Sequence, residues 1–245
     1  MTLAEESTLF GSGRAVTLRI PSREQTFWWG EPWHWATAAY WVAQASHCFA
    51  GEGSFRFGRS LREEVAACIL GGYGMPASVG LAAFSAVRDS GLLDGRSNAK
   101  ALEQVLQRPV SVAGRAVRYR FPHQRSARLA AALDYVDRGC TPADPLALRD
   151  WLLAAPGIGY KTASWIVRNH CDSDEVAIID VHLRRAGEAA GVFDRAWRLD
   201  RDYPLYEAFF LEWARIAKVR PSILDACIWS ELAALGSRDL PSRHR

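Results

Sequence analysis

Lys161 and Asp180 stand nineteen positions apart in this 245-residue chain. Lys161 follows Pro156-Gly157-Ile158-Gly159-Tyr160, and Asp180 is the first polar residue after the apolar run Val176-Ala177-Ile178-Ile179. A neutral amine is a nucleophile, and a carboxylate stabilises positive charge that develops beside it. An amine and a carboxylate that meet across a glycine hairpin are equipped for covalent chemistry on a nucleic acid. Lysine is also scarce, with only Lys100, Lys161 and Lys218 among many arginines. The plainer roles are a solvated helix lysine at 161 and a helix N-cap at 180. Asp180 can serve as a cap and act on chemistry at once.

The elements that must position this pair are two helices and the turn between them. Gly157 and Gly159 are free to take positive φ, so the backbone can turn sharply and approach a ligand. Pro156 helps stop the first helix. The helix that restarts near Lys161 offers N–H groups and a positive dipole end, which suit a phosphate oxygen held near Gly157, Gly159 and Tyr160. A bare GxG would also fit any tight helix–helix turn. Leu152 and Leu153 before it, and Ala163, Ile166 and Val167 after it at helical spacing, require two closely packed helices.

The stretch PGIGYKTASWIVRN followed by AIIDVHLRR resembles the helix-hairpin-helix–GPD superfamily of DNA glycosylases, and most nearly its 8-oxoguanine DNA glycosylase/AP lyases. The resemblance is strong over residues 152–185. It runs more weakly through ACIWSEL (226–232) and ILGGYGMPASVGLAAF (69–84). It implies that Lys161 attacks the sugar C1′, that Asp180 supports the charge that develops there, and that His182 approaches a DNA phosphate. It places Trp165 on one face of the damaged base and Trp229 on the other. Asp225, one turn before Trp229, takes the place of a glutamine that reads the base edge. The segment from Gly71 to Pro76 replaces an asparagine-rich loop that fills the vacated stack, which leaves Tyr73 and Met75 as candidate wedges. In a chain with ten tryptophans, core packing is the competing role for Trp165 and Trp229. A plain interhelical turn is the competing role for 71–76.

Composition bounds the rest. No apolar run reaches the ~20 residues of a membrane span. The N-terminus carries early acids and lacks the pattern of a secretory signal. A cytoplasmic, nucleoid-associated monomer acting on double-stranded DNA with a damaged base is the expectation; the alternatives are a glycosylase for another modified base with weak or no lyase activity, and a non-catalytic hairpin module that only grips DNA phosphate. A net charge of +3 permits nucleic-acid binding without requiring it. Arginines are local: Arg115, Arg118, Arg120, Arg125 and Arg128 cluster with His123, and Arg184 and Arg185 with Arg195, Arg198 and Arg201. Such clusters suit phosphates or solvated faces. The five scattered cysteines, with no CxxC, read as free thiols. No metal and no cofactor is expected, and the cysteine spacing of the superfamily's iron–sulfur branches is lacking.

Apolar periodicity predicts helices over 36–49, 62–71, 77–90, 101–106, 123–138, 145–154, 161–170, 181–190, 204–216 and 221–235. Only Ala15–Ile20 alternates as a strand. Residues 194–203 read as a surface loop or short helix, and the tryptophan-rich 28–33 as an aromatic plug over the core or a pocket cover. The fold expected is all-α and two-lobed, with at most a minor strand near the N-terminus. Its expected divisions are an N-terminal segment 1–55 that joins the hairpin lobe, a central helical lobe 56–144, and a hairpin-containing lobe 145–245. By resemblance the chain looks like a compact prokaryotic variant without the added sheet domain of larger enzymes.

Overall fold

The computed structural model describes residues 13–48, 55–72, 74–96 and 98–235. Their order is β1 (Ala15–Ile20), β2 (Arg23–Trp28), α1 (Ala38–Cys48), α2 (Leu61–Leu70), α3 (Ala77–Asp89), α4 (Ala99–Leu106), β3 (Val110–Val112), β4 (Arg115–Val117), α5 (Pro122–Arg138), α6 (Pro145–Leu152), α7 (Tyr160–Cys171), α8 (Val181–Ala190), α9 (Tyr203–Ala217) and α10 (Pro221–Leu235). Each of the ten helices among the described residues overlaps a stretch of apolar periodicity. Tyr73 lies outside the described residues.

The chain divides into two compact units. One comprises residues 54–173 and the other residues 1–53 with 174–245. Residues 1–53 thus group with residues 174–245. The hairpin helices α6 and α7, however, fall with the central helices and not with the segment that begins at 174. The physical reason is that α7 packs on both α2 and α6. Its buried Ala163, Ile166 and Val167 complete the same core as Val65, Leu70, Leu129 and Leu133.

In the 54–173 unit the helix starts are written locally. Ser60 caps α2 by accepting from Glu63 N–H, and Glu63 turns back to accept from Arg59 N–H at 2.7 Å. Asn98 accepts from Lys100 N–H at 2.8 Å at the start of α4. Asp144 accepts from Ala147 N–H at 2.8 Å, with Pro145 opening α6. The β3–β4 hairpin pairs Val110 with Val117 and Val112 with Arg115. This hairpin departs from the sequence expectation. Three-residue strands are too short to show a period.

In the other unit the strand Ala15–Ile20 finds an antiparallel partner in β2, with Ala15 opposite Trp28 and Ile20 opposite Arg23. The sequence signal of β2 is weak because it buries Phe27 but leaves most of its other side chains exposed. The core joins Trp29, Trp41, Phe193, Tyr206, Phe209, Phe210 and Trp213, all essentially out of solvent. Trp29 is thus the aromatic plug, whereas Trp28 and Trp33 are exposed. Gly187 is required on α8, because a Cβ there would lie 2.2 Å from the Phe193 ring. Residues 194–202 are turns in which two arginines pair locally, Arg198 with Asp200 at 3.1 Å and Arg201 with Asp202 at 2.8 Å.

Candidate active site

The α6–α7 hairpin is built as its glycines require, with one change. Gly157 has φ +79°, in the left-handed region. A Cβ there would lie 3.1 Å from Arg128 Cγ. Gly159 was expected to share that freedom, but its φ is −110° and ψ 179°. It is the extended N-cap of α7, and a Cβ on it would meet nothing within 4 Å. A side chain at 159 would fit the backbone, so its absence leaves the start of the helix open to an approaching group. No side chain caps α7, and Ala163 N–H bonds the Gly159 carbonyl at 2.9 Å. Tyr160 is exposed, with the Arg149 guanidinium 5.6 Å above its ring.

Lys161 sits on the first turn of α7 and is half-buried. Its Nζ lies 5.8 Å from the centre of the Trp165 ring, one turn on, a cation–π arrangement. Trp165 is held from behind: the Phe57 ring meets it edge-on at 5.8 Å and 79°. Gly71 lets it close in, since a Cβ there would lie 3.1 Å from Cη2. Lys161, Trp165 and Gly157 line one recess of about 270 Å³, together with Gly72, Phe121 and Arg125. The recess was not legible as a site, because Phe121 and Arg125 come from α5 and its start, far from the hairpin in sequence. Arg125 donates from Nη1 to the Ile69 carbonyl at 2.7 Å, and burial pulls its guanidinium below the ordinary value. Met75 is half-buried in the turn after α2, its N–H bonding the Gly72 carbonyl at 3.2 Å.

A buried polar chain fixes the segment before α2 against α7. Glu64 has no exposed surface. Its Oε2 accepts from Phe57 N–H at 3.1 Å and Gly58 N–H at 3.0 Å. Its Oε1 accepts from Asn169 Nδ2 at 2.7 Å. Asn169 Oδ1 accepts from Arg168 Nε at 3.0 Å, and the Arg168 guanidinium lies 4.4 Å from the Phe55 ring centre. Burial pushes the Glu64 carboxyl above its usual range, against the hydrogen bonds that favour its charge. Sequence reading missed this pair, because Glu64 falls among Arg62 and Glu63 and looks like surface.

Asp180, His182, Asp225 and Trp229 belong to the other unit. The run 176–179 that leads to Asp180 is buried and belongs to neither helix nor strand. It is pinned by α9: Glu207 Oε1 accepts from Ala177 N–H at 2.9 Å, and the Tyr203 hydroxyl donates to the Ala177 carbonyl at 2.8 Å and accepts from Ile179 N–H at 3.0 Å. Asp180 is the N-cap of α8. Its Oδ1 accepts from His182 N–H at 2.7 Å and Leu183 N–H at 3.0 Å, at 8 % exposure. The carboxylate is therefore fixed in direction by two backbone donors. The His182 ring meets the Trp229 ring edge-on at 6.4 Å. Its Nδ1 is buried without a hydrogen-bond partner, so the imidazole edge is held by packing. Trp229 is 41 % exposed, while Asp225 one turn earlier is buried at 4 %.

Residues 55–219 match the family model described as 8-oxoguanine DNA glycosylase. That span contains Lys161 and Asp180. No curated protein matches the chain by sequence. Among solved structures, the chain is similar to the 8-oxoguanine DNA glycosylase of Thermotoga maritima, at 21 % identity and TM-score 0.56, over 70 % of this chain and 79 % of that one. It is similar to the Methanocaldococcus jannaschii 8-oxoguanine glycosylase/lyase bound to a 15mer DNA containing 8-oxoguanine, at 20 % identity and TM-score 0.55, over 83 % and 91 %. A trapped endonuclease III–DNA covalent intermediate is similar at 16 % identity and TM-score 0.54, over 78 % and 82 %. At these identities the structural likeness carries the fold.

Proposed function

The chain belongs to the 8-oxoguanine DNA glycosylase family, and we propose on that footing that it excises 8-oxoguanine from double-stranded DNA through a lysine imine, with accompanying AP lyase action. The observation that carries the reading is the placement of Lys161. Of the two lysines in its unit, Lys100 and Lys161, only Lys161 opens into the recess formed with Trp165.

The chemistry follows from the residues. A base must leave the duplex stack before its glycosidic bond is reached. The neutral Lys161 amine attacks C1′ as the C1′–N9 bond breaks, and the base departs with the bonding pair and takes up a proton. Asp180, anchored by two backbone donors, stabilises the positive charge on the sugar. The bound amine loses its protons as the sugar ring opens, giving a C1′ imine. Loss of a proton from C2′ then expels the 3′ phosphate and cuts the strand. Gly157, Gly159 and Tyr160 grip a phosphate at the start of α7, and His182 a second one. Trp165 and Trp229 stack on the extruded base, Asp225 reads its edge, and Met75 with Tyr73 fills the gap left behind.

The test is borohydride reduction on a duplex carrying one 8-oxoguanine. The wild-type chain is expected to release the base and cross-link. Lys161→Gln is expected to do neither while still binding duplex. Cross-linking that persists in Lys161→Gln moves the nucleophile to another amine. Base release by the wild type without any cross-link removes the imine and the lyase step.

A further inference from the structure

Several arginines are neutralised by a neighbour. Arg19 pairs with Glu24, Arg62 with Asp137, Arg88 with Asp89, Arg149 with Asp150, Arg215 with Glu212 and Arg220 with Asp174. One stretch has no acid beside it in the sequence. Between Glu103 and Asp134 there is no acidic residue, but there are six arginines. Arg108, Arg115, Arg118 and Arg120 lie on or beside the β3–β4 hairpin, and all four are exposed. None of the four makes an ion pair among the described residues. Solvated arginines that make no ion pair can neutralise the phosphates of a polyanion, and release of the polyanion's condensed counterions favours binding.

The hairpin is built to hold these charges in place. Val112 pairs with Arg115 across a two-residue turn, Ala113-Gly114, with both φ values positive, at 48° and 75°. That is the tight turn whose twist matches paired strands. Alanine is costly in this region, so the turn is kept at the expense of local strain. The exit of the hairpin is stitched to the turn beside the recess. The Tyr119 hydroxyl donates to the Leu70 carbonyl at 2.7 Å, and Arg120 Nη1 donates to the Gly74 carbonyl at 3.1 Å. Phe121, the next residue, lines the recess that holds Lys161. The acid-free strip therefore runs from the hairpin tip into the wall of the recess.

We propose that the β3–β4 hairpin, through Arg115 and Arg118 with Arg108, is a phosphate-binding element for the duplex that flanks the lesion, separate from the recess itself. It rests on the glycosylase reading above. B-form duplex is the occupant because it presents phosphates for these cations to neutralise, and residues 108–118 include no aromatic side chain for unpaired bases to stack on. The hairpin would supply register and affinity and no chemistry.

The test measures binding of undamaged duplex by fluorescence anisotropy across a salt series, using the full chain. For Arg115→Gln/Arg118→Gln, the slope of log K against log salt should become shallower by about 0.9 for each phosphate that is no longer neutralised. At 0.1 M salt this is a fall of about eightfold in affinity per phosphate. The single-turnover excision rate at saturating enzyme and the borohydride cross-link should stay at wild-type levels. The control is Arg198→Gln/Arg201→Gln, which removes two arginines already paired with acids. An unchanged slope in the hairpin variant, or an equal change in the control, overturns the proposal. A wild-type chain that binds duplex but neither excises nor cross-links overturns the glycosylase reading instead, because the hairpin is read on undamaged DNA.

Discussion

Asn169 of α7 donates a 2.7 Å hydrogen bond to Glu64 of α2, and both side chains are buried, at 1 % and 0 % exposure. Through Glu64 the bond reaches the backbone of Phe57, whose ring backs Trp165 beside Lys161. The pair thus ties the helix that carries Lys161 to the aromatic support of its recess.

This link has a pH signature. Glu64 holds its proton more tightly in the fold than in the unfolded chain, where its carboxyl titrates near 4.5. The folded state binds more protons above that value, so the Glu64 contribution is full below pH 4.5 and declines as pH rises through the raised value. Glu64→Gln removes this decline but leaves an amide N–H₂ facing Asn169 Nδ2. One buried donor then lacks its acceptor, at a cost of about 1–3 kcal/mol. Chemical denaturation across pH 4 to 8 should show lower stability in the variant and a flatter pH profile. A variant with the wild-type profile would show that Glu64 is not the titrating group.

Gly157→Ala should strain the hairpin without touching Lys161. Alanine at φ +79° lies in the left-handed region, and its Cβ would press on Arg128 at 3.1 Å. A destabilisation of about 1–2 kcal/mol is expected from the backbone alone. Gly159→Ala, at an extended φ with open space around it, should leave stability near wild type and weaken duplex binding if that space admits a phosphate. Melting temperature separates the two sites. Equal destabilisation at both would contradict the geometry.

The contrast between those glycines shows what was legible in the sequence. The hairpin, Lys161 and Asp180 are local features: a turn, a first helical turn and a cap written within thirty residues. Their side-chain settings are not local. Glu64 meets Asn169 across 105 positions, and its neighbours Arg62 and Glu63 give it the look of a solvated face. Arg125 and Phe121 reach the recess only because α5 packs on α2. The unit boundary at 173–174 was hidden for a similar reason. The helical pattern reports that α7 has an apolar face but not which core receives it.

Asp180→Asn separates the charge from the cap. Oδ1 accepts from His182 and Leu183 N–H, and an asparagine carbonyl can keep both bonds, so stability should change by less than about 1 kcal/mol. The excision rate should fall about 10²–10³-fold, the scale of one preorganised electrostatic group. Single-turnover excision with a parallel melting curve makes the measurement. Asp180→Ala should lose the rate and also the cap, about 1 kcal/mol. A normal rate in the asparagine variant would reduce Asp180 to a structural role.

Trp229→Ala tests the base pocket. The ring is 41 % exposed and meets the His182 ring at its edge, so its removal opens little cavity and should cost far less than the roughly 3–5 kcal/mol of a buried tryptophan. If the ring stacks on the extruded base, about 1–3 kcal/mol of lesion affinity goes with it. Excision of 8-oxoguanine should then slow by roughly ten- to a hundredfold at subsaturating enzyme. Strand cutting at a preformed abasic site should be spared, because no base is there to stack. Both activities are measured on matched duplexes that differ only in the missing base. Equal reduction of the two would place Trp229 in the support of His182 and Asp180, not in the pocket, and Trp229→Phe, which keeps a stacking face, should restore excision only if the pocket reading holds.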